Sequence, residues 1–255
     1  MYYLQSRYYD PQMGRFLNQD AYVDTDQEGF GTNMFAYCEN NPVNNIDPDG
    51  EDCYYFYLPE WEKEAKKDQK LLMEYFGISE NKVHLISISS AAALTSGWNS
   101  MGAGGVSIQA VIINSHANPT NLSFDFGESK INKLQNKNIK TLILYGCNAG
   151  HLDRRKSNVA YFFAKKLGNL TPVLASDGTV SLRSLFGYYR SKNDEEFKSY
   201  LPAGSKRGNE GWIINSYDRH GFYTISGYGK SLTLTKMLGI INQYLISFNY
   251  SKKLK

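Results

Sequence analysis

The chain has 255 residues, which is enough for one large domain or for a domain with an appendage. It is 42% hydrophobic and 21% charged, as is usual for a globular protein. A net charge of +3 with scattered Lys and Arg does not indicate a nucleic-acid partner. We expect neither a transmembrane segment nor a signal peptide, because no apolar run is long enough and the N-terminus lacks a basic start. The three cysteines, Cys38, Cys53 and Cys147, lack C-x-x-C spacing, so we expect neither a disulfide framework nor a zinc cluster.

Residues 1–50 differ in composition from the rest of the chain. The stretch "YYLQSRYYDPQMGRFLNQD" alternates large and polar residues, and "ENNPVNNIDPDG" consists almost entirely of turn formers. Such a segment predicts strands and turns but carries too little apolar mass for a core of its own. We therefore interpret it as a fragment of a larger β structure.

The motifs "RYYDPQMGRFLNQD" and "NMFAYCENNPVNNIDPDG" resemble the end of the core region of rearrangement-hotspot (Rhs) and YD-repeat proteins. The resemblance implies a β-shell that carries a variable C-terminal toxin, with "DPxG" at the junction. In many relatives a Leu follows this Gly and the chain is cut there, whereas here Gly50 precedes Glu51 and Asp52. It further implies that residues 1–50 are a core remnant and residues 53–255 an effector, secreted by a bacterium to act in the cytoplasm of a target cell. A cognate immunity protein would be its partner. The alternative is a plain N-terminal β appendage.

From residue 53 onward, strand and helix patterns alternate. The predicted strands are "CYYFYL" (53–58), "KVHLISI" (82–88), "VSIQAVIINS" (106–115), "IKTLILYG" (139–146) and "TPVLASDG" (171–178). The predicted helices are Glu60–Phe76 with Gly77 as C-cap, "SAAALTSGWNSMG", one within Arg154–Leu167 and a closing helix that begins near Leu234. "NLSFDFGE" is predicted to form a small hairpin or an edge strand, and "GWIINSYDRHGFYTISGYG" a hairpin. Strands apolar on both faces and separated by helices predict an α/β fold with an open, mostly parallel sheet flanked by helices.

A histidine and a cysteine follow two of these strands at matching positions. His116 comes just after "VIINS", and Cys147 just after "LILYG". In a parallel sheet the carboxyl ends of the strands share one edge, and neighbouring strands are roughly 5 Å apart. An imidazole beside a thiol favours the nucleophilic thiolate. Gly146 and Gly150 flank the cysteine, so backbone N–H groups there can face a developing oxyanion, and the helix start near 153–157 adds a positive dipole end.

The order "apolar strand–Ser-His", "apolar strand–Gly-Cys-x-x-Gly", helix and strand resembles the caspase-like (clan CD) cysteine peptidases over roughly residues 54–180. The resemblance implies that His116 is the general base and Cys147 the nucleophile, with backbone N–H groups as the oxyanion hole. Many relatives have Gly directly after the His. Here Ala117 takes that place, so its loop must adopt a conformation that Ala permits. The resemblance also implies that Asp177 lines a pocket for a basic side chain, and that no cofactor is needed.

Each of the remaining polar candidates also has a structural interpretation. Asp177 is alternatively a turn aspartate before Gly178, and Ser115 and Asn148, which we place at the substrate pocket, are also ordinary turn residues. His151 is a rival base, and with Asp153 a C-x3-H-x-D metal motif, but this is not a usual zinc spacing, so a loop or helix-start histidine is favoured. We expect His84, in a strand, and His220, in a hairpin turn, to be structural.

The sequence thus predicts a cysteine endopeptidase that hydrolyses a protein substrate. Three alternatives stay open: a toxin of other chemistry (a nuclease or an ADP-ribosyltransferase), a catalytically inactive binding module on the same fold, and a peptidase that processes only its parent chain. The weak basic balance argues against the nuclease.

Overall fold

The computed structural model describes residues 2–4, 7–10, 15–16, 52–102, 108–183, 188–192, 210–218, 221–225, 228–229 and 231–253. In the first three ranges, strands β1 (Tyr2–Leu4), β2 (Arg7–Asp10) and β3 (Arg15–Phe16) form an antiparallel sheet, so the prediction of strands near the N-terminus is confirmed. The predicted turns beyond β3, together with Cys38 and His220, lie outside the described residues.

The remaining strands are β4 (Asp52–Tyr57), β5 (Val83–Ser87), β6 (Ile108–Asn114), β7 (Asn121–Leu122), β8 (Phe126–Gly127), β9 (Leu142–Tyr145), β10 (Val173–Ser176), β11 (Thr179–Arg183), β12 (Tyr188–Lys192), β13 (Trp212–Asp218), β14 (Gly221–Ile225) and β15 (Ser231–Thr233). The helices are α1 (Glu62–Phe76), α2 (Ala91–Ser100), α3 (Glu128–Lys133), α4 (Val159–Leu167) and α5 (Leu234–Lys253). In these described ranges no helix is long and apolar enough to cross a bilayer.

A seven-stranded sheet organises the chain from residue 52. Its order is β5-β4-β6-β9-β10-β13-β14, with parallel pairing from β5 to β10 and antiparallel pairing at β13 and β14. The predicted α/β class with an open, mostly parallel sheet is therefore confirmed. Parallel strands need crossover helices, which cover the sheet and let its inner strands be apolar on both faces.

Two buried clusters cover the two faces of this sheet. On one face, β4 residues such as Phe56 pack with Leu94 and Trp98 of α2, Ile131 of α3 and Phe163 of α4. On the other face, alternate residues of the same strands pack with α1 and α5, for example Tyr55, Ile112, Leu72, Met237 and Ile241. Burial of apolar surface on both faces is the main force that fixes the order of the strands and the position of their ends.

The ends of helices α1 and α4 have identifiable physical causes. Helix α1 begins at Glu62 instead of Glu60, because Pro59–Trp61 form a 3-10 turn first, and it ends at Gly77, whose φ of 64° is the predicted left-handed C-cap. Helix α4 begins only at Val159, since Asn158 is its N-cap and accepts from the backbone N–H of Tyr161 at 2.8 Å.

A three-stranded sheet formed by β11, β12 and β15 was not predicted. Strand β12 pairs with β11 on one side and with β15 on the other, and the paired residues Arg190 and Ser231 are far apart in sequence. Strands β7 and β8 form the predicted small hairpin after β6.

Candidate functional site

The parallel pairing of β6 with β9 brings the histidine and the cysteine to one edge of the sheet. Asn114, the last residue of β6, pairs with Tyr145, the last residue of β9. His116 and Cys147 each follow two residues later, so they leave the sheet from matching positions on neighbouring strands. Because adjacent strands are about 4.8 Å apart, the two loops start side by side at the carboxyl edge.

The two loops touch directly at Gly146. A Cβ at this position would lie 2.6 Å from the Cβ of Ala117 and 3.4 Å from the carbonyl oxygen of Ser115. Real Cβ atoms do not approach each other so closely, so glycine is required for the contact between the loop after β6 and the loop after β9. The glycine that precedes Cys147 therefore allows the loop after β9 to pack closely against the loop after β6.

Cys147 is half-buried, and backbone of β11 lies against its sulfur. The N–H of Val180 points at Sγ at 3.4 Å, and the carbonyl oxygen of Val180 lies 3.9 Å from Sγ. A thiol donates its proton to the carbonyl, whereas a thiolate accepts from the N–H. Val180 therefore offers a hydrogen-bond partner to either protonation state of the sulfur.

His116 stands at the surface with 71% of its side chain exposed. Its Nε2 lies 3.7 Å from Oε1 of Glu60, and the ring meets Trp61 edge-on with centroids 4.8 Å apart. Both neighbours belong to the turn that follows β4. Neither residue was predicted as a site residue, although Pro59-Glu60-Trp61 directly follows a predicted strand, as His116 does. The sequence pattern does not show that β4 pairs with β6, and this pairing brings the turn after β4 next to His116.

Ala117 has a backbone conformation that alanine permits, and its N–H is not used in the pairing with Leu122. Its φ is negative, so the loop adopts a conformation that alanine permits, as required. Ala117 bridges Leu122, while the N–H of Asn118 donates to the carbonyl of Asn121 and the N–H of Ser123 donates to the carbonyl of His116. These flanking bonds make Ala117 and Leu122 a non-hydrogen-bonded pair, so the N–H of Ala117 lies on the side away from Leu122.

Gly150 is a packing residue in this arrangement. Its N–H donates to the carbonyl of Ser176 at 2.9 Å, and a Cβ on it would lie 3.0 Å from both Ala175 and Ile213. The N–H expected to face an oxyanion is thus engaged with β10. The glycine instead allows the loop after Cys147 to lie flat on the sheet.

Ser115 and Asn148 hold the two loops in place. Ser115 is buried, its Oγ donates to the carbonyl of His116 at 2.9 Å and accepts from the N–H of Ser123 at 3.2 Å. Asn148 is buried with a φ of 56°, and its N–H donates to the carbonyl of Gly178 at 2.8 Å. Asparagine tolerates this left-handed conformation better than most residues. Both residues are buried in the loops that carry His116 and Cys147, so the contacts cited here are structural.

Asp177 is only 1% exposed and lies between two loops. Its Oδ1 accepts from the N–H of Leu152 at 2.8 Å and its Oδ2 from the N–H of Glu210 at 3.1 Å. Its carboxylate therefore faces backbone donors instead of an open pocket, which favours the alternative of a structural aspartate. Charge-assisted bonds of this kind make a buried carboxylate tolerable.

His151 is the N-cap of a 3-10 turn, as the favoured interpretation predicted. It is fully buried, and its Nδ1 accepts from the N–H of Asp153 at 3.2 Å. His84 lies in β5, where it stacks on Tyr54 and its Nε2 contacts Asp52 at 2.9 Å, so its structural interpretation also fits. Among the described residues, no three His, Cys, Asp or Glu side chains come together as metal ligands.

These features define an α/β protein with an open, mostly parallel sheet and a cysteine and a histidine on neighbouring loops at its carboxyl edge. No family model matches the chain. A 50-residue stretch is 48% identical to the tRNA nuclease WapA of Bacillus subtilis (strain 168) and to the tRNA3(Ser)-specific nuclease WapA of Bacillus spizizenii. The same length is 46% identical to the tRNA(Glu)-specific nuclease WapA of Bacillus subtilis subsp. natto. Each match covers 20% of this chain and 2% of the relative.

Among solved structures, the complex of Porphyromonas gingivalis RgpB pro- and mature domains is similar to part of the chain. The two are 14% identical with a TM-score of 0.38, over 51% of this chain and 33% of that one. With so low a TM-score, the fold class depends on the strand order of the chain itself.

Proposed function

We propose that residues 53–255 are a caspase-like cysteine endopeptidase with Cys147 as nucleophile and His116 as general base. The observation that carries the proposal is the paired register of β6 and β9, which ends in a histidine on one strand and a cysteine on the other. The close contact at Gly146 supports it, because the two loops depend on each other for their positions.

The proposed reaction is acyl transfer to the sulfur of Cys147. His116 takes the thiol proton, and the thiolate attacks the carbonyl carbon of the scissile bond. The N–H groups of Ala117 and Cys147 stabilise the oxyanion. The imidazolium then gives its proton to the leaving amine. Water, deprotonated by the same imidazole, attacks the acyl-enzyme and releases the carboxylic acid, which restores the thiol.

Glu60 and Trp61 orient the imidazole in this proposal. With Nε2 turned toward the Glu60 carboxylate, Nδ1 is the nitrogen left to exchange a proton with Cys147. The edge contact with Trp61 restricts rotation of the ring. Both side chains are more than half exposed, so their contact contributes little energy and acts mainly by orientation.

For the biological role, we propose an effector of the polymorphic-toxin type behind an Rhs core remnant at residues 1–50. The proposed route is secretion by a bacterium, action on a protein in the cytoplasm of the target cell and neutralisation by a cognate immunity protein. The 50-residue match to the WapA nucleases supports this context. The same match supports a second candidate, a nuclease, because the matched relatives carry that name.

The pH dependence of Cys147 alkylation tests the peptidase proposal. A comparison of labelling rates between cysteines is not sufficient, because Cys53 is fully buried in β4 and reacts slowly for that reason alone. We therefore expect that iodoacetamide labels Cys147 in a Cys38→Ser background well below the pKa of about 8.5 of a free thiol. His116→Ala should return the profile to that of a free thiol. An ordinary thiol profile in the parent protein would contradict a poised thiolate.

A Cys147→Ala variant separates the candidate functions. The peptidase proposal predicts loss of cleavage of a denatured protein such as carboxymethylated casein, and loss of toxicity in cells, with an unchanged melting temperature. A nuclease would keep toxicity and tRNA cleavage in this variant, and an inactive binding module would keep its effect on cells. If the variant abolishes only cleavage of the parent chain, with no other protein cut, the enzyme processes itself.

A further inference from the structure

The tip of the β7–β8 hairpin carries an exposed aromatic side chain in a disfavoured backbone conformation. Phe124 is 38% exposed, which makes it the large hydrophobic residue that stands out on the described surface. Its φ is 64°, and that of the following Asp125 is 51°. A left-handed conformation is uncommon for any residue except glycine and is an outlier for a bulky one.

The fold itself holds this turn in place. The Nζ of Lys130, in α3, donates to the carbonyl oxygens of Phe124 at 2.9 Å and Asp125 at 2.8 Å. A lysine that bonds two successive carbonyls fixes the backbone of the turn from outside. The aromatic ring therefore has a defined position at the surface, although exposure and strain both disfavour it.

The hairpin is also bonded to the loop that carries the candidate base. The N–H of Ser123 donates to the carbonyl of His116 at 2.8 Å and lies 3.2 Å from the Oγ of Ser115. Phe124 is the next residue along the chain. The residue that carries the exposed ring thus belongs to the same hydrogen-bonded loop assembly as His116.

We propose that Phe124 is a specificity residue that contacts an apolar side chain of the protein substrate near the scissile bond. This inference rests on the proposed peptidase function. Exposure of the ring and its left-handed backbone both raise the free energy of the free protein. Burial of the ring against a partner lowers the free energy of the complex. A polypeptide bound over Cys147 and His116 passes over this loop assembly, so its apolar side chain is the occupant that the position of the ring supports.

Two neighbouring variants of the full chain separate contact from strain. Phe124→Asn removes the ring and relaxes the turn, since asparagine tolerates a left-handed conformation. Asp125→Asn relaxes the next residue and keeps the ring. We expect both variants to raise the melting temperature, and only Phe124→Asn to lower kcat/KM on carboxymethylated casein, by about tenfold through KM. Alkylation of Cys147 by iodoacetamide should stay unchanged in both, because the dyad is untouched.

A cleavage-site profile on a proteome-derived peptide library completes the test. The parent protein should prefer an apolar residue at one position near the cut, and Phe124→Asn should lose that preference while keeping the others. If the parent protein cleaves and Phe124→Asn cleaves with the same kcat/KM and the same profile, the inference is wrong and the proposed function stands. If the parent protein cleaves nothing, the proposed function is wrong and the inference falls with it.

Discussion

Replacing Gly146 with alanine tests whether the histidine loop and the cysteine loop depend on direct contact. The new methyl group would lie 2.6 Å from the Cβ of Ala117, well inside the separation of about 3.5–4.0 Å at which two carbons attract. One loop must therefore move by about 1 Å. Overpacking of this kind costs about 1–3 kcal/mol.

The expected result is a lower melting temperature together with slower alkylation of Cys147. For a chain of this size, each 1 kcal/mol shifts the midpoint by about 2–4 °C, so we expect a fall of roughly 2–12 °C by differential scanning calorimetry. Gly239→Ala is the matched control, because Gly239 lies in α5 with nothing within 4 Å of an added Cβ. That change should stabilise the protein by about 0.5–1 kcal/mol.

A compensating change makes the test specific. Ala117→Gly removes the methyl group that the new one would meet, so Gly146→Ala combined with Ala117→Gly should recover most of the lost stability and reactivity. We expect a coupling energy of about 1 kcal/mol or more in the double-mutant cycle. Additive effects, or a Gly146→Ala variant as stable as the Gly239→Ala control, would refute the contact between the loops.

Three further changes probe the surroundings of the site. Glu60→Gln should lower kcat/KM by no more than about fivefold, because an exposed pair is worth about 0–1 kcal/mol; a hundredfold loss in steady-state assays would contradict an orienting role. Asp177→Asn should lower the free energy of unfolding in urea by about 1.5–3 kcal/mol, since an amide group then faces a backbone N–H; a changed preference for basic residues in cleavage profiles would instead restore the pocket role. Tyr55→Phe should cost about 1–3 kcal/mol in the same unfolding assay, because the buried Tyr55 hydroxyl donates to Asp68 at 2.9 Å and accepts from Asn114 at 3.3 Å; unchanged stability would argue against this network.

Local patterns were sufficient to predict the elements that carry the dyad. The runs before His116 and Cys147 are short and continuously apolar, so burial on both faces follows from composition. The change to small and polar residues marks where each strand leaves the core. Both features are properties of consecutive residues, which is why the fold class and the placement of both candidates at a strand end were accessible.

Contacts that depend on which segments become neighbours in the fold could not be predicted from the sequence. Glu60 contacts His116 because β4 pairs with β6, and Val180 contacts Cys147 because β11 folds back over the loop after β9. Burial of Asp177 likewise depends on Glu210, more than thirty residues away. Such contacts come from the packing of the whole chain, and the periodicity of a single segment carries no information about them.

The first strand after the N-terminal region, β4, lies inside the sheet, with β5 on one side and β6 on the other. Its first residue, Asp52, is pinned there by Lys82 at 3.3 Å and His84 at 2.9 Å. A proteolytic cut upstream of Asp52 leaves all strands of this sheet in place. A truncation that removes residues up to Tyr57 removes β4, the strand that joins β5 to the rest of the sheet. Every strand of the seven-stranded sheet thus lies at or after Asp52, so a chain that begins there retains all seven strands.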